Sequence, residues 1–174
     1  MNDDGRASII RTALLGVLLC GSLIAADLLT KLAASKLGSR EVVLIPGVLS
    51  LSYIENHGAA FGIMQGRQWL LIVISAVIIA AAVVFCIRRI RDTRYRYLRV
   101  LTVFLVAGAL GNMIDRIMLG YVRDFIYFKL IDFPVFNVAD IYVTVSAFSL
   151  AALILFYYQG SEIDVVLSGR REKK

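Results

Sequence analysis

Four long runs of apolar residues dominate this 174-residue chain, and none of them contains a charged side chain. Hydrophobic residues make up 59% of the sequence, whereas soluble domains typically have about 45–50%. A helix needs about 20 mostly apolar residues to cross a bilayer, so the shorter runs must include polar flanks. The sequence therefore predicts an all-α membrane protein of one domain, residues 1–174, with four transmembrane helices at about 12–31, 69–87, 97–115 and 138–158.

The basic residues predict how these spans are oriented. Segment 88–99, between the second and third spans, has six arginines and one acidic residue, Asp92. The C-terminal segment is also basic, and short basic loops stay on the cytoplasmic side. We therefore expect both termini in the cytoplasm, with segments 36–66 and 116–137 on the other side. The net charge of +6 could indicate nucleic-acid binding, but no basic face interleaved with aromatic residues is present. The basic residues lie beside the apolar runs, which favours contact with anionic membrane lipids.

The first apolar run also fits a cleavable signal peptide. Arg6 and Arg11 precede it, and small residues lie near its end, as in secretory signals. However, Asp27 and Lys31 follow directly, and three more spans come after them. We therefore expect this run to be retained as a helix.

The two segments outside the cytoplasm have different compositions. Residues 41–62 combine β-branched residues with Pro46 and several glycines, a pattern typical of strands and turns. They are expected to form a small sheet on the membrane surface. Residues 116–136 are rich in aromatic side chains, which suits the bilayer interface.

Two aspartates, Asp124 and Asp140, flank predicted spans. A carboxylate at membrane depth is costly and is therefore a candidate functional group. If the two converge, one can stay protonated while the other acts as a base, which is the chemistry of peptide hydrolysis. There are simpler alternatives: Asp140 with Asn137 fits a helix capping box, and Asp124 could be a surface residue beside Arg123.

Other polar and small residues cluster near the same ends of the spans. Asp27 and Lys31 are spaced for a helical ion pair or for support of a site. Asn112 would share a helix face with Arg116 and could orient nearby carboxylates, although Arg116 could equally form a simple charge pair with Asp115. The candidate binding and support residues are Asp27, Lys31, Asn56, Gly58, Ala59, Gly108, Asn112, Arg116 and Asn137.

The small residues in this set have two interpretations. Asn56 and Gly58 could form an ordinary turn, or they could let a bound peptide approach closely while the amide of Asn56 contacts its main chain. Gly108 is suited to close contact between helices. With one histidine, His57, and two cysteines in apolar runs, no zinc or iron ligand set is indicated. We expect no metal and no cofactor.

Five short motifs in chain order resemble those of the bacterial lipoprotein signal peptidases, also called signal peptidase II. They are D-L-L-T-K at 27–31, N-H-G-A-A-F-G at 56–62, G-N-M-I-D-R at 111–116, V-R-D-F at 122–125 and F-N-V-A-D at 136–140. The similarity extends from the first span to the fourth. Each motif is weak alone, but their order and the four spans together make the resemblance specific.

The resemblance implies an aspartic endopeptidase of the bacterial cytoplasmic (inner) membrane. Such an enzyme removes the signal peptide from diacylglyceryl-modified prolipoproteins by cleaving on the N-terminal side of the lipidated cysteine. It implies that Asp124 and Asp140 form the catalytic dyad near the periplasmic face, and that cyclic peptides of the globomycin type inhibit the enzyme. It also implies a periplasmic β-cradle in residues 41–62 and a mobile periplasmic helix in residues 116–136.

Two other classes of protein are alternatives. In a small proton-coupled transporter component, Asp124 and Asp140 would relay protons. In a membrane chaperone, the aromatic segment would be an interaction surface. The acidic residues cluster towards one side of the membrane, which argues against a proton path across it.

Overall fold

The computed structural model describes residues 3–58 and 66–158. Its main elements, in chain order, are α1 (Asp3–Ser35), β1 (Glu41–Ile45), β2 (Leu49–Asn56), α2 (Gln68–Arg89), α3 (Arg96–Leu119), β3 (Val122–Phe128) and α4 (Val138–Ala152). Short 3-10 turns lie at Thr93–Tyr95 and Lys129–Ile131. A π-helical turn, Leu153–Tyr157, continues α4.

Within the described residues, four helices are long and apolar enough to cross a membrane. Large apolar side chains such as Leu18, Val77 and Phe148 point outwards, where a bilayer would contact them. The prediction of a four-helix membrane protein with a small sheet is thereby confirmed. The first helix is longer than its apolar run, and Asp3 and Asp4 lie in its first turn, where negative charge is favourable.

Helix α3 is the centre of the bundle and packs against the other three helices. Two glycines allow its closest contacts. A Cβ on Gly108 would lie 2.5 Å from the carbonyl oxygen of Ala139, and one on Gly111 would lie 2.4 Å from Oδ2 of Asp27. Because real Cβ atoms do not approach so closely, only glycine lets α4 and α1 come this near to α3.

The three strands form one antiparallel sheet in the order β1-β2-β3. Strand β3 pairs with β2 so that Asp124 lies opposite Ile54 and Val122 opposite Asn56. The expectation of strands within residues 41–62 is therefore correct, but the sheet has a third strand, β3, which follows α3 in the chain.

The expectation of a helix in residues 116–136 was wrong. Beyond the end of α3, this segment is mainly strand β3, and its helical content is the single turn Lys129–Ile131. The sequence V-R-D-F-I-Y-F is rich in β-branched and aromatic residues, which favour strands. Pairing with β2 also satisfies the backbone groups along that edge of the sheet.

The turn between α3 and β3 depends on Gly120. This residue ends α3 in the left-handed conformation with φ 80°, and its N–H donates to the carbonyl of Arg116. Glycine adopts this conformation without the steric cost that a side chain brings. The turn directs β3 back along the end of the bundle, which brings Asp124 beside the start of α4.

Candidate active site

Asp124 lies in the middle of β3 and is only 2% exposed. Its Oδ1 accepts a hydrogen bond from Nδ2 of Asn137 at 2.6 Å, and its Oδ2 accepts one from Nδ2 of Asn56 at 2.8 Å. The interpretation of Asp124 as a surface residue is therefore wrong. Both of its oxygens are held by amide groups from other parts of the chain.

The surroundings of Asp124 favour its protonated form. Burial, and after it the charge of Asp140, raise the pKa of Asp124 to about 6. The hydrogen bonds from Asn56 and Asn137 act in the opposite direction but do not cancel this rise. A carboxyl group with such a pKa can both hold and release a proton near neutral pH.

Asp140 lies in the first turn of α4 and has two roles. As predicted from the sequence, it forms a capping box: Oδ1 of Asn137 accepts from the N–H of Asp140, and Oδ2 of Asp140 accepts from the N–H of Asn137, both at 3.0 Å. Its other oxygen, Oδ1, accepts from Nδ2 of Asn112 at 2.8 Å. The cap therefore fixes Asp140 in place and leaves it half-buried beside Asp124.

Asn137 joins the two carboxylates. Because its Oδ1 accepts the capping hydrogen bond, its Nδ2 must point the other way, and it donates to both Asp124 and Oδ1 of Asn112. The side chain is completely buried. One amide thus caps α4 at Asp140 and binds Asp124 directly.

Lys31, together with Asn137, fixes the orientation of Asn112. Its ammonium group can only donate, and it lies 2.9 Å from Oδ1 of Asn112 and 2.8 Å from Oδ2 of Asp27. The amide nitrogen of Asn112 must therefore face Asp140. The expected ion pair of Asp27 with Lys31 is present, and it is part of the site's support rather than an isolated pair.

Asp27 ties α1 to the start of α4. Its Oδ1 accepts from the N–H of Ala139 at 2.9 Å, and both Asp27 and Lys31 are completely buried. The first N–H groups of a helix have no partner within the helix, and they attract negative charge. A carboxylate on α1 thus stabilises the turn that carries Asp140.

Asp115 pairs with Arg123 rather than with its neighbour Arg116, so the alternative of a simple charge pair between Asp115 and Arg116 was wrong. Nε and Nη2 of Arg123 donate to the two oxygens of Asp115 at 3.1 and 2.7 Å. The backbone N–H of Arg123 donates to the same carboxylate at 3.1 Å. Because Arg123 precedes Asp124, this contact anchors β3 to α3 next to the candidate dyad.

Arg116 and Gly58 meet on the other side of the site. Nη2 of Arg116 donates to the carbonyl of Gly58 at 3.3 Å, and the N–H of Gly58 donates to Oδ1 of Asn56 at 2.9 Å. The expected turn at Asn56 is present, and it leaves Nδ2 of Asn56 free to bind Asp124. The charge of Arg116 also interacts with Asp140 and Asp124. Ala59 lies outside the described residues.

Sequence reasoning missed Arg123 as a support residue. The signal available was Asp115, a carboxylate at the end of a span that needs a cationic partner. The support candidates predicted from the sequence, apart from Ala59, lie around Asp124 and Asp140 or in the helix contacts that position them. Two carboxylates held together in this way can perform general acid–base chemistry, which suits a membrane hydrolase.

The comparisons with known proteins identify the family. The family model described as Signal peptidase (SPase) II matches residues 19–156, so the chain belongs to the signal peptidase II family and is a protease. The lipoprotein signal peptidase of Streptococcus thermophilus is 37% identical over 117 residues, which are 67% of this chain and 75% of that protein. The one from Streptococcus agalactiae is 39% identical over 106 residues, 61% of this chain and 68% of that protein.

Two solved structures share the fold. One is a bacterial membrane enzyme structure obtained by the in meso method at 2.3 Å resolution, with a TM-score of 0.72 and 30% identity over 92% of this chain and 93% of that one. The other, at 1.9 Å, has a TM-score of 0.70 and 30% identity over 83% and 94% of the two chains. These findings support a membrane enzyme and do not support a transporter component.

Proposed function

We propose that this protein is an aspartic endopeptidase that removes the signal peptide from diacylglyceryl-modified prolipoproteins, with Asp124 and Asp140 as its catalytic dyad. The observation that carries the proposal is the shared amide of Asn137, which caps α4 at Asp140 and donates to Asp124. Sequence places these two carboxylates on different elements, and burial makes their proximity costly. A purely structural role would not need both of them.

The two aspartates have different environments, which suggests their roles. Asp140 lies at a helix N-terminus and accepts from Asn112 and from the backbone of Asn137, so both of its oxygens face hydrogen-bond donors. It is suited to take the proton from the attacking water. Asp124, with its pKa raised to about 6, is suited to polarise the scissile carbonyl as an acid and then to protonate the leaving amine.

The substrate is proposed to reach this site along the membrane. Asp124 and Asp140 lie where the sheet meets the bundle, beside the ends of α3 and α4, and a lipidated cysteine would be anchored at the same depth. Cleavage would fall on the N-terminal side of that cysteine. Cyclic peptides of the globomycin type are proposed to occupy the same site as the scissile segment.

A lipidated precursor is expected to have a kcat/KM at least about 100-fold higher than the same precursor without its diacylglyceryl group. The reason is that anchoring in the membrane raises the effective concentration of the substrate at the site. The measurement compares both precursors in the same micelles at equal concentration. A precursor whose lipidated cysteine is replaced by serine is the control for peptide recognition alone. Equal cleavage of the lipidated and unlipidated forms would contradict the proposed substrate class.

The site is proposed to face away from the cytoplasm in the bacterial inner membrane, with both termini and segment 88–99 inside. Exposed Leu130 lies next to the sheet, and exposed Arg91 lies at the other end of the bundle. In a background without Cys20 and Cys86, Leu130→Cys should react with an impermeant thiol reagent in spheroplasts. Arg91→Cys should react only after permeabilisation, and the reverse pattern would invert the topology.

A further inference from the structure

A cavity of about 460 Å³ lies between α1, α2 and α3, at the end of the bundle opposite Asp124 and Asp140. Its wall includes Gly16, Cys20, Cys86 and Val103, and Arg96 and Arg99 lie at one end. Its volume falls within the range of about 300–1,000 Å³ that is typical of ligand sites. The proposed peptidase chemistry does not use it.

The wall of this cavity is suited to hydrocarbon. The surface of its lining is almost entirely apolar, and its two threonine hydroxyls are satisfied within their own helices. Thr12 donates to the carbonyl of Ser8 at 2.9 Å, and Thr102 donates to that of Leu98 at 2.7 Å. A cavity with such walls offers water too few polar partners, so an apolar chain is the better occupant.

The basic end of the cavity is suited to an anion. The guanidinium of Arg99 donates to the backbone carbonyls of Arg89 and Asp92, and that of Arg96 donates to the hydroxyl of Tyr97 at 2.6 Å. These acceptors are neutral, so these contacts do not compensate either positive charge. The surrounding segment 88–99 has six arginines and one aspartate, which adds to the positive potential there.

The length of the cavity matches one leaflet of a bilayer. It is lined along α3 from Arg96 to Val106, about ten residues that span about 15 Å at 1.5 Å per residue. This is half of the roughly 30 Å hydrocarbon thickness. A molecule with its anionic group at the arginines would therefore extend an apolar chain to the middle of the membrane.

We propose that this cavity binds an anionic glycerophospholipid, whose phosphate contacts Arg96 and Arg99 and whose acyl chain lies between α1, α2 and α3. The site is separate from the candidate dyad, which lies at the other end of α3. The proposal does not depend on which reaction the dyad performs.

Native mass spectrometry of the full chain, delipidated in detergent, tests the headgroup. Phosphatidylglycerol and phosphatidylethanolamine with identical acyl chains should be titrated separately, and phosphatidylglycerol should bind more tightly. Arg96→Gln should weaken phosphatidylglycerol binding about fivefold, the contribution of one basic residue at a membrane surface. Arg88→Gln is the matched control, because Arg88 is exposed and outside the cavity. Equal affinity for the two lipids, or equal losses in the two variants, would overturn the proposal.

A second pair of variants tests the acyl chain. Gly16 lies in the cavity wall, and a Cβ there makes ordinary contact with Val103 at 3.9 Å. Gly16→Leu should narrow the cavity beside Val103 and reduce binding of phosphatidylglycerol about tenfold, the effect of displacing roughly two buried methylene groups of the acyl chain. Gly21→Leu is the control, since a Cβ at exposed Gly21 meets no described atom within 4 Å.

The same experiment separates a phospholipid from a free phosphate compound. Excess glycerol 3-phosphate should not displace the lipid, because it has no chain to place in the cavity. Displacement by glycerol 3-phosphate, or unchanged binding in Gly16→Leu, would overturn the assignment of a phospholipid.

Discussion

Asp124→Asn and Asp140→Asn are each expected to lower turnover of a lipidated precursor by at least about 10²–10⁴-fold, the usual contribution of acid–base assistance. An amide has nearly the shape of a carboxyl group, but it can neither take a proton from water nor donate one to the leaving amine. If Asp140 were only a helix cap, its loss would cost about 1 kcal/mol of stability and leave turnover largely intact. Turnover therefore distinguishes a catalytic group from a structural one.

Stability must be measured with turnover, because the new side chain in Asp124→Asn could not satisfy both of its neighbours. Nδ2 of Asn56 and Nδ2 of Asn137 each donate to Asp124, and an asparagine presents only one acceptor oxygen. Asp132→Asn is the matched control. Asp132 is exposed and has a φ of 49°, a conformation that asparagine tolerates, so this variant should keep full activity. Near-normal turnover in Asp124→Asn or Asp140→Asn would contradict the aspartic mechanism.

The pH dependence provides a second readout of Asp124 that does not rely on loss of activity alone. Its pKa is raised from 3.8 to about 6, so between these values the folded protein binds more protons at this site than the unfolded chain. The contribution of Asp124 to stability therefore falls as pH rises from about 4 to about 6. Asp124→Asn should lack this component in unfolding midpoints measured at pH 5 and pH 7. For the wild type, kcat/KM should decline as pH rises through about 6, where Asp124 loses its proton.

The parts of the fold that the sequence predicted depend on composition or on the spacing of residues within a short segment. Uncharged apolar runs identify spans because a bilayer penalises every charge within them. The capping box at Asn137 and Asp140 is predictable because its residues are three positions apart. The candidate dyad was likewise recognisable because carboxylates near membrane depth are rare.

The features that the sequence did not predict depend on long-range pairing. Strand β3 exists because β2 is beside it, and nothing within residues 116–136 specifies that partner. The same holds for Asp115: Arg116 is adjacent in sequence, but successive residues on a helix point about 100° apart. The carboxylate of Asp115 instead meets Arg123, which the sheet brings back to α3. The chain of hydrogen bonds from Lys31 through Asn112 to Asp140 also forms only when α1, α3 and α4 are packed together.

Lys31→Met is expected to destabilise the protein by about 3–5 kcal/mol, the usual cost of removing one partner from a buried ion pair. Lys31 is completely buried and lies 2.8 Å from Asp27 and 3.7 Å from Asp115. Methionine fills similar space but leaves Asp27 without its cation. It also removes one of the two donors that orient Asn112 and leaves only Nδ2 of Asn137, so turnover should fall even under conditions where the variant remains folded.

The control for Lys31→Met is Lys129→Met. Lys129 pairs with Glu41, but both side chains are partly exposed, and such pairs contribute little to stability. Unfolding of both variants in the same mixed micelles should therefore show a much larger loss for Lys31→Met. Similar losses would mean that the buried network does not support the fold.

A double variant separates the charge of Lys31 from its packing. Lys31→Met/Asp27→Asn removes both charges, and the asparagine keeps an acceptor for the N–H of Ala139, which Asp27 binds at 2.9 Å. Asp115 still has Arg123 as its partner. The double variant should therefore regain most of the stability that Lys31→Met loses, because replacing both partners of a buried ion pair costs less than removing one of them. Turnover should stay below that of the wild type, since Asn112 still lacks one of the two donors that turn its amide nitrogen towards Asp140.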